Sequence, residues 1–186
     1  MPGASPRSCR AISASVFGHR TACSGALDRI DLKILQALQA DGRITNKELS
    51  EKVNLSASAC HQRLQKLIDD DWLTSFHGVI NVERLCAPVQ CIATIALGNH
   101  SPDAFRFLEK RVEAMPEALE AYTVSGSCDF IVRFACAHMT RYMTLTNSLI
   151  QECPEIDTIS THVIMKQSKR FSRYPLDELM DFNAYR

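Results

Sequence analysis

Between Asp41 and Ser56 the sequence stops one helix, starts a second, stops it and starts a third. Few folds accommodate so many helix ends in so short a stretch. The first helix opens at Asp28, a good N-cap residue, with Asp31 three positions on and favourable near the helix dipole. Ile30, Ile34, Leu35 and Leu38 give it an apolar stripe, and Asp41-Gly42 ends it. Thr45 and Glu48 then form a capping box, which opens a short helix carrying Leu49 and Val53 inward. Asn54-Leu55 makes a brief turn, and Ser56 caps a third helix whose inward positions are Cys60, Leu64, Leu67 and Ile68. Asp69, Asp70 and Asp71 close it. Trp72-Leu73 and Phe76 to Ile80, broken at Gly78, read as a strand, a turn and a strand. Three short helices followed by a hairpin predict a winged helix-turn-helix over residues 27–85.

Leu85 to Pro88 reads as a hinge, and the pattern then changes. Val89 to Leu97 is strand-like, and Ser101-Pro102 starts a helix with Pro at its first position. Phe105, Leu108 and Val112 face inward, and Pro116 marks the exit. Ala118–Ser125 and Asp129–Ala137 are strands joined through Gly126-Ser127-Cys128. Met139–Glu152 is a helix with Tyr142, Leu145, Thr146, Leu149 and Ile150 on one side, and Ile156–Met165 is the last strand. This β-α-β-β-α-β order predicts a ferredoxin-like domain over residues 86–168, and an α+β chain as a whole. Residues 169–186 remain as a C-terminal tail, in a region where Lys166, Lys169, Arg170 and Arg173 precede any acid.

Composition narrows the function. A chain of 186 residues is long enough for two small domains, each with its own core. Lys and Arg number 21, as do Asp and Glu, so a nucleic-acid surface must be local rather than general. No stretch approaches the roughly 18 apolar residues of a membrane span, so no membrane partner is expected. Residues 1–26 carry three arginines and no acid; they read as a disordered extension or a misassigned start, with a transit peptide as the other option. The eight cysteines form no C-x-x-C pair and no zinc-type spacing with histidine, so free thiols in a reducing cytoplasm are expected, with no metal. P-loop, G-x-S-x-G, H-E-x-x-H and Rossmann glycine motifs are absent, and the chain reads as a non-enzyme without cofactor.

The third helix carries the chemistry of DNA reading. It holds His61, Arg63 and Lys66 and no acid until Asp69, and its outward positions include Ser58, Gln62 and Gln65. Arg and Lys suit guanine edges or phosphate, and Gln suits adenine. Ser56 and the free N–H groups of the first turn suit a phosphate. The competing reading of Arg63 is an ion pair with a neighbouring acid. Residues 27–85 hold eight basic and nine acidic residues, so a single headpiece should bind modestly and act as part of a dimer or larger assembly.

The ordered set Leu27-Asp28-x-x-Asp31-x-x-Ile34-Leu35, Asp41-Gly42-Arg43-Ile44, Glu48-Leu49-Ser50, Leu55-Ser56 and Arg63-Leu64-x-x-Leu67 resembles the Lrp/AsnC, or feast/famine, transcription regulators. Val124-Ser125-Gly126-x-x-Asp129-Phe130 and Tyr142 continue the resemblance, which covers about residues 27–168. It implies a sequence-specific regulator of double-stranded DNA on the nucleoid, responsive to a small effector, most simply an amino acid. It implies homodimers that pair through their sheets and assemble further into octamers. It also implies an effector loop: backbone at Val124, Ser125, Gly126, Ser127 and Cys128 for a carboxylate, Asp129 for an ammonium, and Met139 as a pocket wall. Ser127 and Cys128 stand where many members carry an acid and an aromatic. A plain hairpin turn is the competing reading of Gly126 to Asp129. The alternatives at the level of function are an enzyme similar to siroheme decarboxylases on the same scaffold, and a ligand-independent architectural protein that wraps DNA.

Overall fold

The computed structural model describes residues 27–180. The extension 1–26 lies outside the described residues. Packing divides the chain into two compact units, residues 27–77 with 171–180, and residues 78–170.

The first unit holds α1 (Arg29–Ala40), α2 (Asn46–Val53) and α3 (Ala57–Asp69). All three open as the sequence predicts. Asp28 accepts from the Ile30 and Asp31 N–H groups, and Asp31 reaches back to the Asp28 N–H. Thr45 and Glu48 form the second box. Ser56 accepts from the Ala59 N–H at 3.2 Å. Ile34, Leu35, Leu38, Leu49, Val53, Cys60 and Leu67 bury a common core between the helices. Leu64 and Ile68 are only half buried.

The hairpin expected after α3 does not form. Asp71 adopts a left-handed conformation (φ 58°), and the Trp72 N–H donates back to the Leu67 carbonyl. That helix-ending turn draws Trp72 and Leu73 against the core instead of into a strand. Residues 74–81 then adopt no regular structure, with Val79 90% exposed. Residues 171–180 return to this unit. The short helix α6 (Leu176–Leu179) packs Leu176 against the core, Gln36 donates to Asp177, and the Tyr174 N–H donates to the Gln39 side chain.

In the second unit a 3-10 turn, Val82–Arg84, precedes β1 (Val89–Leu97) and carries Glu83, which pairs with Arg170. The unit continues with α4 (Pro102–Glu113), β2 (Ala118–Thr123), β3 (Phe130–Cys136), α5 (Met139–Glu152) and β4 (Ile156–Val163). The sheet is antiparallel in the order β2-β3-β1-β4, the ferredoxin-like arrangement. Strict alternation along β1 and β3 buries Cys91, Ala93, Ile95, Phe130, Val132 and Phe134 on one face. Leu108 and Val112 of α4 and Tyr142 and Leu149 of α5 cover that face. The Tyr142 hydroxyl and Thr161 Oγ1 lie 2.7 Å apart, which ties α5 to β4. Ile150, expected inward, is 46% exposed: the buried side of α5 centres on Tyr142 and Leu149, and Ile150 lies one step past it. On the opposite face Ile92, Ile131 and Tyr122 alternate with the buried residues, and no helix of this unit among the described residues covers them.

Candidate functional site

The exposed side of α3 follows from how its other side is held. Cys60 and Leu67 lie seven residues apart, two helical turns on one stripe, and both are buried. Asn54, left-handed at φ 55°, turns the chain between α2 and α3. The Asn46 amide donates to the Ala57 carbonyl at 2.8 Å, which links the first turn of α2 to the first turn of α3. Ser58, His61, Gln62, Gln65 and Lys66 are then all exposed and free of acid until Asp69. Gln65 donates to Asp69 at 2.9 Å, and the Ser56 and Ser58 hydroxyls lie 3.1 Å apart beside the helix start.

Arg63 is placed differently from the other candidates. Its Nη1 donates to Asp28 and to Asp31, both at 2.7 Å. These two carboxylates also form the capping box of α1, so the guanidinium clamps α3 to the start of α1. Hydrogen bonds to Asp31 and Asp28 push the arginine further up. Burial alone would raise the Asp28 carboxyl, but bonds from the Asp31 N–H, Arg63 and the Ile30 N–H outweigh it and hold it below the ordinary value of 3.8. The ion-pair reading of Arg63 is the one its geometry supports.

The loop from Val124 to Asp129 joins β2 to β3. The Val124 N–H donates to the Asp129 carbonyl at 2.8 Å, and the Asp129 N–H donates to the Ile95 carbonyl at 2.9 Å. Gly126 sits at φ 133°, a backbone region that penalises any side chain. Ser125, Gly126 and Ser127 are exposed, and Val124 and Cys128 are half buried.

Asp129 is already engaged. Its Oδ2 accepts from the Leu97 N–H at 2.7 Å, and its Oδ1 lies 3.1 Å from His100 Nε2. The carboxylate is 17% exposed and the imidazole 64%. The His100 ring lies 6.2 Å from that of Phe105, which in turn packs on Phe130. No spacing in the sequence links His100 to Asp129; the sheet brings them together because β1 and β3 are neighbours. Met139 is not brought to this loop. It lies past the far end of β3, about 20 Å away at roughly 3.3 Å per strand residue, and packs against the core. A cleft of about 420 Å³ between α4 and β2 reaches Thr123 and Phe130, the residues on either side of this loop.

Cys60, Cys86, Cys91, Cys128, Cys136 and Cys153 are free thiols. Burial pushes Cys60, Cys91, Cys136 and Cys153 up, which keeps them protonated and unreactive. Among the described residues no group of three or more His, Cys, Asp or Glu side chains could hold a metal ion. No helix among them is long and apolar enough to cross a membrane.

A family model described as winged helix-turn-helix DNA-binding matches residues 27–74, and one described as Lrp/AsnC ligand binding domain matches residues 90–174. The chain belongs to the Lrp/AsnC family. The leucine-responsive regulatory protein of Haemophilus influenzae is 34% identical over 145 residues, 78% of this chain and 87% of that protein. The Escherichia coli K12 protein of the same name is 32% identical over 147 residues, 79% and 90% of the two chains. An AsnC-family transcriptional regulator from Agrobacterium tumefaciens superposes with a TM-score of 0.75 at 28% identity, over 83% of this chain and all of that one. A Neisseria meningitidis transcriptional regulator solved as a complex with L-methionine does so with a TM-score of 0.75 at 27% identity and the same coverage. The protein is thus an Lrp/AsnC-type DNA-binding transcriptional regulator with a ligand-binding domain.

Proposed function

We propose that this Lrp/AsnC protein reads its operator through His61, Gln62, Gln65 and Lys66, and that an amino-acid effector bound at the Val124–Asp129 loop alters that binding. The observation that carries the first part is the acid-free exposed side of α3, held rigidly by a buried opposite side. Ser56 and Ser58, with the first-turn N–H groups, contact a phosphate; Arg63 acts from behind by fixing the helix. Support for the second part is the half-buried Asp129 beside exposed loop backbone, together with the L-methionine complex of the Neisseria relative. Asp129 takes the effector ammonium, and N–H groups of Ser125 to Cys128 take its carboxylate.

The uncovered sheet face around Ile92, Ile131 and Tyr122 joins two copies of the chain. An effector that favours one assembly then changes how many headpieces reach DNA together. The protein acts in the cytoplasm, on the nucleoid, and as a regulator rather than a catalyst.

A melting-temperature screen with the twenty amino acids, paired with binding to DNA upstream of the protein's own gene, tests both parts. We expect one or more amino acids to raise the melting temperature and to shift the DNA affinity. We expect the H61A/Q62A/Q65A/K66A variant to stay folded and lose operator preference. Normal operator binding by that variant would reject the α3 assignment. Asp129→Asn should weaken effector binding by roughly ten- to a hundredfold, as loss of a charge-assisted hydrogen bond does.

A further inference from the structure

The second basic feature of the chain lies outside α3. Lys166, Lys169, Arg170 and Arg173 fall within one short stretch that contains no acid. Residues 164–174 form neither helix nor strand, and all four side chains are exposed. Arg170 lies 3.1 Å from Glu83. Among the described residues no carboxylate pairs with Lys166, Lys169 or Arg173.

Charge elsewhere gives this stretch its weight. Residues 27–77 carry seven basic and eight acidic side chains, and Arg63 is spent on Asp28 and Asp31. Duplex DNA carries a phosphate charge for about every 1.7 Å of its axis, and non-specific attraction comes almost wholly from neutralising those charges. The helix-turn-helix alone offers little of that attraction. Beyond its own lysines and arginines, the unpaired cations nearest to it along the chain are Lys166, Lys169 and Arg173.

Their reach is fixed by the covalent chain. The Tyr174 N–H is held by Gln39 of α1 at 2.8 Å, and Leu176 is packed in the core of the helix-turn-helix. Arg173 is therefore one residue from an anchored position. Lys169 is five residues from it, at most about 18 Å along an extended chain, and Lys166 eight residues, at most about 28 Å. A headpiece whose recognition helix lies in the major groove, about 12 Å wide, has phosphates on both sides of it, and the basic stretch is tied to that headpiece at Tyr174.

We propose that residues 166–173 are a second DNA contact, a basic strap that grips the phosphate backbone without regard to sequence while α3 reads the bases. The strap rests on the DNA-binding reading of α3 only for its register on the operator. Its own signature is different: it adds affinity for every duplex and steepens the salt dependence.

The test is the full-length K166Q/K169Q/R173Q variant, with Arg170 kept because it pairs with Glu83. Affinity for an operator duplex and for a scrambled duplex of equal length is measured across a salt series. We expect both affinities to fall by the same factor. The slope of log K against log salt should flatten by about 0.9 for each lost phosphate contact per chain. The charge-preserving K166R/K169R/R173K variant should keep wild-type affinity and slope, which separates charge from any effect on folding. An unchanged slope in the glutamine variant would overturn the strap, as would equal loss in the charge-preserving one. Loss of preference with an unchanged slope in the H61A/Q62A/Q65A variant would leave the strap standing and bear on α3 alone.

Discussion

Arg63 holds two carboxylates, and His100 one, that the sequence offers for other work. Arg63 clamps Asp28 and Asp31, so Arg63→Ala should loosen α3 from α1 rather than erase a base contact. The guanidinium is 36% exposed, so the loss in unfolding free energy should be about 1 kcal/mol or less. Denaturant unfolding measures it, and operator preference should persist in the variant. The same clamp gives a signed pH dependence. The Asp28 carboxyl is held below its ordinary value of 3.8 in the folded chain. Its contribution to stability is therefore complete above that value and disappears as pH falls through the lower folded one. Melting curves of wild type and Asp28→Asn should converge as the solution is acidified below pH 3.8. His100 sits on the Asp129 oxygen that an ammonium would take. His100→Ala should free that oxygen and tighten effector binding by about fivefold, the value of one modest hydrogen bond. Titration calorimetry with whichever amino acid raises the melting temperature reads it, and weaker binding would show that His100 helps to hold the ligand.

At the scale of elements, helix starts are legible because an N-cap is a local event. Ser56 meets the Ala59 N–H whatever the rest of the chain does. Ser56→Ala should cost about 1 kcal/mol of stability, and a helix start that is also a phosphate site should lose DNA affinity with it. The strands of the ferredoxin-like sheet are legible as well, since alternation along β1 and β3 is written in Ile, Val, Phe and Ala. What fails is any inference that needs a partner not adjacent in sequence. Phe76 to Ile80 has the composition of a strand, but a strand needs a neighbour, and Trp72 and Leu73 are taken by the core. Met139 looks close to the loop in sequence and is a strand's length from it in space. The Asp129–His100 contact is set by the pairing of β1 with β3, which no local pattern encodes.

Two units joined in one chain set the scale of the whole molecule. The sheet face bearing Ile92 and Ile131 is covered by no helix of its own unit among the described residues, and its burial against a second copy is the simplest route to a dimer. Ile131→Asp should convert the protein to monomers in size-exclusion chromatography while leaving the circular dichroism of the fold in place. A dimer that survives this change would place the interface elsewhere. The first unit is discontinuous in sequence, because residues 171–180 close onto α1 after the second unit has been made. Leu176 is half buried there, and Leu176→Ala should lower the stability of the helix-turn-helix by about 1 kcal/mol. During translation, then, the three helices leave the ribosome well before Leu176 does, and a nascent helix-turn-helix lacks that side chain's packing until the second unit has been made. A polypeptide abandoned partway through the sensor domain would carry a headpiece lacking this support, which disfavours stalled fragments in competition with whole copies for operators.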